Sequence, residues 1–213
     1  MKDKRRIIMT IVGVALSGIG DGFIKAAMLG LDPFTGAATG LSQMLGMGYG
    51  NFYAIFNFLL LLMIWFVDKH YIGIATLVNM VGIGYMIQYT SEGILRFVAD
   101  MALSGMGLQL ILFFIGILIL CAGTSLYFTA DLGVSTYDAS ALILKDKTGH
   151  SLKICRIGTD LLCVVVALVF GANIGLGTVI TAFCMGPFIE FFNRNLAEPI
   201  LCRHFIAKRQ KIC

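Results

Sequence analysis

Asp21 stands inside the apolar segment Ile7–Met28, about 21 Å from its start at the helical rise per residue. Lys25 follows four residues later, on the same helical face. An ionisable group in hydrocarbon costs roughly 2.5–3.5 kcal/mol on insertion scales, so such groups face a protein interior or a water-filled cavity. Two readings are open. Asp21 and Lys25 form an intrahelical ion pair, with Lys25 snorkelling outward, or Asp21 is a cation or proton site. A second carboxylate, Asp160, follows Arg156 by four residues and can pair with it. Asn57, Asn79 and Glu190 are further polar residues in or beside apolar segments. Asp32-Pro33 and Ser135 with Asp138 are helix N-terminal signatures: a side-chain cap, a proline at the first helical position, and a capping-box spacing. A helix N-terminus carries about half a positive charge and free N–H groups, which can hold an anionic group. Thr35 and Asp138 occupy the first turns of those two short helices. No catalytic constellation accompanies these residues: there is no H-E-x-x-H, no G-x-S-x-G and no P-loop. The histidines, His70, His150 and His204, fall in segments expected to be cytoplasmic. No catalytic residue, metal site or cofactor is expected.

The elements that must position these groups follow from composition. The chain has 213 residues, 58% apolar and only 13% charged, with a mean hydropathy of +0.89. Globular chains sit near about 45–50% and 25%. Charge is absent from Pro33 to Val67, from Met101 to Ala130 and from Leu161 to Ile189. A bilayer core takes roughly 20 helical residues to cross. This excludes a soluble enzyme, a disordered chain and a disulfide scaffold. A β-barrel is disfavoured because apolar and polar residues do not alternate. The fold expected is all-α and polytopic, with six transmembrane helices near 7–28, 50–67, 72–90, 108–130, 155–171 and 174–192. Short helices are expected at 33–45 and 136–148, stopped by Gly46 and Gly149. Ile94, Phe97, Val98 and Met101 recur at helical spacing and predict an amphipathic connector on the outer surface. Tyr49 and Tyr53 are expected to mark the outer end of the second span, and Trp65 an inner interface. The six cysteines, Cys121, Cys155, Cys163, Cys184, Cys202 and Cys213, show no zinc spacing and read as helix-packing residues.

Charge sets the orientation. All but Lys25 and Arg96 of the 16 lysines and arginines fall on one side when the N-terminus is placed inside. They cluster at Lys2 to Arg6, at Lys145, Lys147, Lys153 and Arg156, and at Arg194, Arg203, Lys208, Arg209 and Lys211, with Lys69 between. The positive-inside rule therefore places both termini in the cytoplasm. Topology explains these clusters, and no nucleic-acid partner is expected.

The two halves of the chain match. Residues 13–46 align with 116–149, sharing Gly13, Gly20, Ala27, Leu29, Gly30, Ala38, Leu41 and Gly46 with their counterparts. Residues 72–89 align with 174–191, sharing Ile72, Gly73, Thr76, Gly84 and Ile87. Shared glycines in order across most of a chain indicate duplication. The repeats are expected at 1–100 and 101–213. With three spans in each, the second inserts upside down, an architecture that places substrate sites near the midplane between the copies. In this register Asn57 pairs with Asp160, Asn79 with Thr181, Gln88 with Glu190, and Asp21 with Thr124.

At Leu29-Gly30-Leu31-Asp32-Pro33-Phe34, Ile72 to Asn79, Ala130-Asp131-Leu132-Gly133 with Asp138, Gly175-Leu176-Gly177-Thr178 and Gly186-Pro187, the chain resembles the bacterial YitT/YczE group of multi-pass membrane proteins. The resemblance covers nearly the whole chain. Ala75 departs from the pattern, since the second copy has Gly177 there. The resemblance implies a small polytopic protein of the bacterial inner membrane. It supplies neither substrate nor catalytic residues.

The function expected is a small transporter or channel for a small solute or ion, with Asp21, Lys25, Asp32, Thr35, Asn57, Asn79, Asp138, Arg156, Asp160 and Glu190 as pathway candidates. The alternative is a non-transport scaffold, regulatory or substrate-capture subunit of a larger complex. The expected partners are the lipid bilayer and the solute, with homo-oligomerisation left open.

Overall fold

The computed structural model of the protein describes residues 2–68, 72–100, 105–150, 152–172 and 174–201. Lys69, His70, Met101, Cys202, Arg203, His204, Lys208, Arg209, Lys211 and Cys213 lie outside these residues, as do the side chains of Lys2, Lys153 and Cys184. Among the described residues the regular structure is helical: α1 (Lys2–Ala27), α2 (Pro33–Met44), α3 (Tyr49–Val67), α4 (Ile74–Asp100), α5 (Met106–Ala130), α6 (Thr136–Thr148), α7 (Leu152–Val169) and α8 (Leu176–Phe192), the last continued by a π-helical turn, Asn193–Ala197.

Helices α1, α3 and α5 are long and apolar enough to cross a membrane. A fourth span arises if Leu176–Phe183 and Met185–Leu201, bent by 46°, count as one. The bend has a local cause. Pro187 has no N–H to give, and its ring crowds the carbonyl four residues back, at Phe183. Helix α4 differs from the expectation: the connector through Ile94, Phe97 and Val98 is no separate element but the last turns of one 27-residue helix. Gly93 stands at the expected boundary, but a lone glycine keeps its N–H and lowers helix propensity without breaking the ladder, and no proline follows before Asp100. Large apolar side chains such as Phe66, Phe183 and Leu176 are exposed on the outside, as in a protein whose solvent is lipid.

The centre is the α1–α5 pair. Between helices in lipid, attraction comes from van der Waals packing, and small residues let backbones approach. A Cβ on Gly13 would lie 2.8 Å from the Gly123 carbonyl oxygen, and one on Gly20 would lie 2.8 Å from that of Gly116. Gly13 aligns with Gly116 and Gly20 with Gly123, so the two close approaches exchange equivalent positions.

The loops after α1 and α5 repeat this exchange. Leu29 accepts a hydrogen bond from Gly177 N at 2.9 Å, and Leu132 accepts one from Ala75 N at 3.0 Å. Ala75 therefore keeps the backbone contact that its glycine counterpart makes. Backbone in the left-handed region recurs at equivalent positions too: φ is +59° at Met28 and +52° at Asp131, and +121° at Gly30 and +108° at Gly133. Gly30 tolerates that φ without Cβ strain and lets the loop press onto Gly175 and Thr178. Helix α2 packs on α7 through Gly36 and Gly40, which face Ala167 and Phe170, and α6 packs on α3. Each short helix thus lies against the third helix of the opposite half.

Candidate functional site: a polar cavity at the ends of the short helices

The first turns of α2 and α6 converge. The sequence dictates both ends. Asp32 Oδ2 accepts from Thr35 N at 3.0 Å, and Ser135 Oγ accepts from Asp138 N at 3.0 Å, so each short helix carries the side-chain cap its spacing predicts. The rings of Phe34 and Tyr137 then stack between them. Nearly all of α2 is buried, from Pro33 to Gly40, which a helix lying on a membrane surface would not be.

Beside this junction is a cavity of about 500 Å³. Eight of the expected residues line it: Asp21, Asp32, Thr35, Asn57, Asn79, Asp138, Arg156 and Asp160. They come from α1, α2, α3, α4, α6 and α7, so no single element makes the site. Two expected residues are elsewhere. Glu190 is exposed and pairs with Arg194 at 2.6 Å, whereas the neighbouring α8 residues that line the cavity are Met185, Gly186 and Ile189. Lys25 places its Nζ 3.5 Å from the ring centre of Tyr49. Among the described residues no ion pair joins Lys25 to Asp21, which corrects the intrahelical-pair reading: the i, i+4 spacing permits that pair, but Lys25 takes the aromatic face instead. Tyr49 and Tyr53 belong to the buried core rather than to a lipid–water boundary.

The charged groups divide into two sets. Arg156 forms an ion pair with Asp138 Oδ1 and lies 3.6 Å from Asp160 Oδ1. It also sits 4.5 Å from the ring centre of Tyr137. Asp138 Oδ2 accepts from Ser135 Oγ at 2.6 Å and from Tyr127 OH at 2.8 Å. Tyr137 OH donates to Asp160, and Thr136 Oγ1 donates to Asn57, whose amide donates to the Tyr53 carbonyl at 2.8 Å. This network is closed: each of its charges has a partner. The other set is open. Asp21 is 9% exposed, and its Oδ1 has no hydrogen-bond partner; Asp32 Oδ1 is likewise buried without one.

Sequence reasoning missed Tyr127 and Tyr137 and the Arg156–Asp138 pair. Tyr127 carried a usable signal, a phenol near the C-terminal end of an apolar helix. Tyr137 aligned with Phe34 and read as an aromatic packing position. The pair joins α6 to α7 and has no local spacing to show it.

Apolar helices long enough to cross a bilayer, packed around a polar cavity, define a helical membrane protein. The chain belongs to a family of unknown function, DUF6198, whose pattern matches residues 4–194. It is 28% identical over 204 residues to the uncharacterized membrane protein YczE of Bacillus subtilis, covering 95% of this chain and 88% of that one. It is 25% identical to an uncharacterized protein of Haemophilus influenzae, with 91% and 86% covered, and 24% identical to the uncharacterized protein YyaS of Bacillus subtilis, with 94% and 96% covered. The resemblance to the YczE group is therefore real. No solved structure matches the chain.

Proposed function

We propose that the protein is a small membrane transporter or channel, built as six spans in two inverted repeats, that moves a small solute or ion through the cavity between α2 and α6. One observation carries this reading: a polar cavity of about 500 Å³ lies where two buried helix ends from opposite halves of the chain meet. Paired backbone geometry supports the inverted repeat, through Gly13 with Gly123 against Gly20 with Gly116, and Leu29 with Gly177 against Leu132 with Ala75. Three chain passes per copy, α4 and α7 included, complete the count. Of these two, α7 contributes Arg156 and Asp160 to the cavity, and α4 ends in an amphipathic stretch that carries Glu92 and Arg96. Irregular backbone at membrane depth is tolerated where it is buried in protein or lines a cavity, as the loops before α2 and α6 do. In this reading the short helices are re-entrant, and the polar groups bind and orient a solute rather than catalyse.

The test is a thermal-shift ligand screen on the purified protein, followed by uptake of each hit into proteoliposomes. A ligand that binds the folded state raises its stability by mass action. The expected result is a hit that also crosses the bilayer at a rate proportional to reconstituted protein. Hits that bind but never cross would overturn transport and return the alternative, a regulatory or substrate-capture subunit.

A further inference from the structure

The cavity presents two possible electrostatic characters. Its helix N-termini could receive an anion, and its carboxylates a cation. The geometry decides between them. Thr35 N is already bound by Asp32 Oδ2, and Asp138 N by Ser135 Oγ. The chain thus supplies its own caps at both ends, a carboxylate at one and a hydroxyl reinforced by the Asp138 carboxylate at the other. Arg156, the cation of the lining, is engaged by Asp138 and Asp160. What remains open is negative: four aspartates line the cavity against one arginine, and among the described residues the buried lining oxygens that lack partners belong to Asp21 and Asp32.

We infer that the solute is a small organic cation, an ammonium or guanidinium compound, and that Asp21 is its counter-ion. This rests on the transport reading of the same cavity. Buried polar groups are nearly always satisfied, so an orphaned carboxylate oxygen in a cavity wall marks a place where a donor belongs. The size and lining favour an organic ion over a metal. About 500 Å³ lies within the roughly 300–1,000 Å³ of small-molecule pockets. Among the described residues no three His, Cys, Asp or Glu side chains gather as a metal ion would need. Phe34, Tyr53, Tyr127 and Tyr137 line the same space, and aromatic faces attract organic cations.

The experiment uses the full chain in detergent and in proteoliposomes. Its probes are agmatine, tetraethylammonium and ethidium at millimolar concentration or below. Potassium chloride at equal ionic strength and sodium glutamate are the comparison salts. At least one organic cation should raise the melting temperature in a saturable manner, while potassium and glutamate do not. Asp21→Asn should weaken that binding at least tenfold, with the unliganded protein as stable as the parent, because the change removes a charge that has no partner. Glu190→Gln, outside the cavity, should leave binding unchanged. If Asp21→Asn fails to fold, Asp21→Glu keeps the charge and should retain binding, whereas its loss would count against Asp21. Stabilisation by glutamate alone, by potassium alone or by none of the probes overturns the inference, as does organic-cation binding equal in the parent and Asp21→Asn. Asp21-dependent binding without flux would uphold the cation site and overturn transport, so the two readings fail separately.

Discussion

The rings of Phe34 and Tyr137 lie 4.6 Å apart with their planes inclined by 21°, and the two residues occupy the same position in the two halves of the chain. Phe34 therefore contacts its own aligned counterpart, and the Gly13–Gly123 and Gly20–Gly116 approaches between α1 and α5 exchange aligned positions in the same way. The stack joins the first turns of the two short helices, and both rings line the cavity.

That stack should be a large contributor to stability. Phe34 is buried against Tyr53, Phe56 and Tyr137. Phe34→Ala is expected to cost roughly 3 kcal/mol, by analogy with buried aromatic truncations. Tyr137→Phe keeps the ring and loses the hydroxyl that donates to Asp160, so its cost should be about 1 kcal/mol. Melting temperatures of the two variants in one detergent check the order.

Arg156 should be needed for stability through Asp138 more than for itself. Removing one partner of a buried pair strands the other charge, at about 3–5 kcal/mol when fully buried, while removing both is often neutral. Arg156 is 41% exposed, which reduces the effect. Arg156→Met is expected to cost about 2 kcal/mol. Adding Asp138→Asn should recover part of it. A double-mutant cycle on unfolding reads the coupling, and strict additivity would show that the pair contributes nothing.

Two glycines should respond in opposite directions to alanine. A Cβ at Gly20 meets Leu120 N at 2.5 Å and Leu120 Cα at 2.7 Å, both backbone atoms that cannot rotate away. Gly20→Ala should force α1 and α5 apart at about 1–3 kcal/mol. A Cβ at Gly93, inside α4, meets nothing within 4 Å. Gly93→Ala should gain up to about 1 kcal/mol from helix propensity. Equal shifts in melting temperature would contradict the close helix packing.

Topology is checked in cells. The charge asymmetry motivates both termini inside, so a C-terminal reporter active only in the periplasm should stay silent. Impermeant maleimide added to intact cells should label none of the six cysteines. Cys121 and Cys155 are buried, and no cysteine lies in an expected outer loop. A bright reporter would reverse the orientation.

Several features were legible in the sequence alone because they are local. The caps at Asp32 and Ser135, the stops at Gly46 and Gly149 and the short helices between them depend on a few consecutive residues, and the structure places those helices within a residue of their expected ends. Several shared glycines were legible too: Gly13, Gly20, Gly30 and their counterparts stand where backbone touches backbone. Tertiary structure decided which polar residues meet. Asp21 and Lys25 had the right spacing to pair, yet Lys25 found Tyr49 and left Asp21 facing the cavity. Glu190 aligned with Gln88 but faces outward. Arg156 had Asp160 one turn away and took Asp138 from another helix as its closer partner. Spacing along a helix determines which side chains share a face. How that face is rotated against its neighbours depends on packing summed over the whole bundle, the close α1–α5 approach at its glycines and the seating of α2 on α7 included.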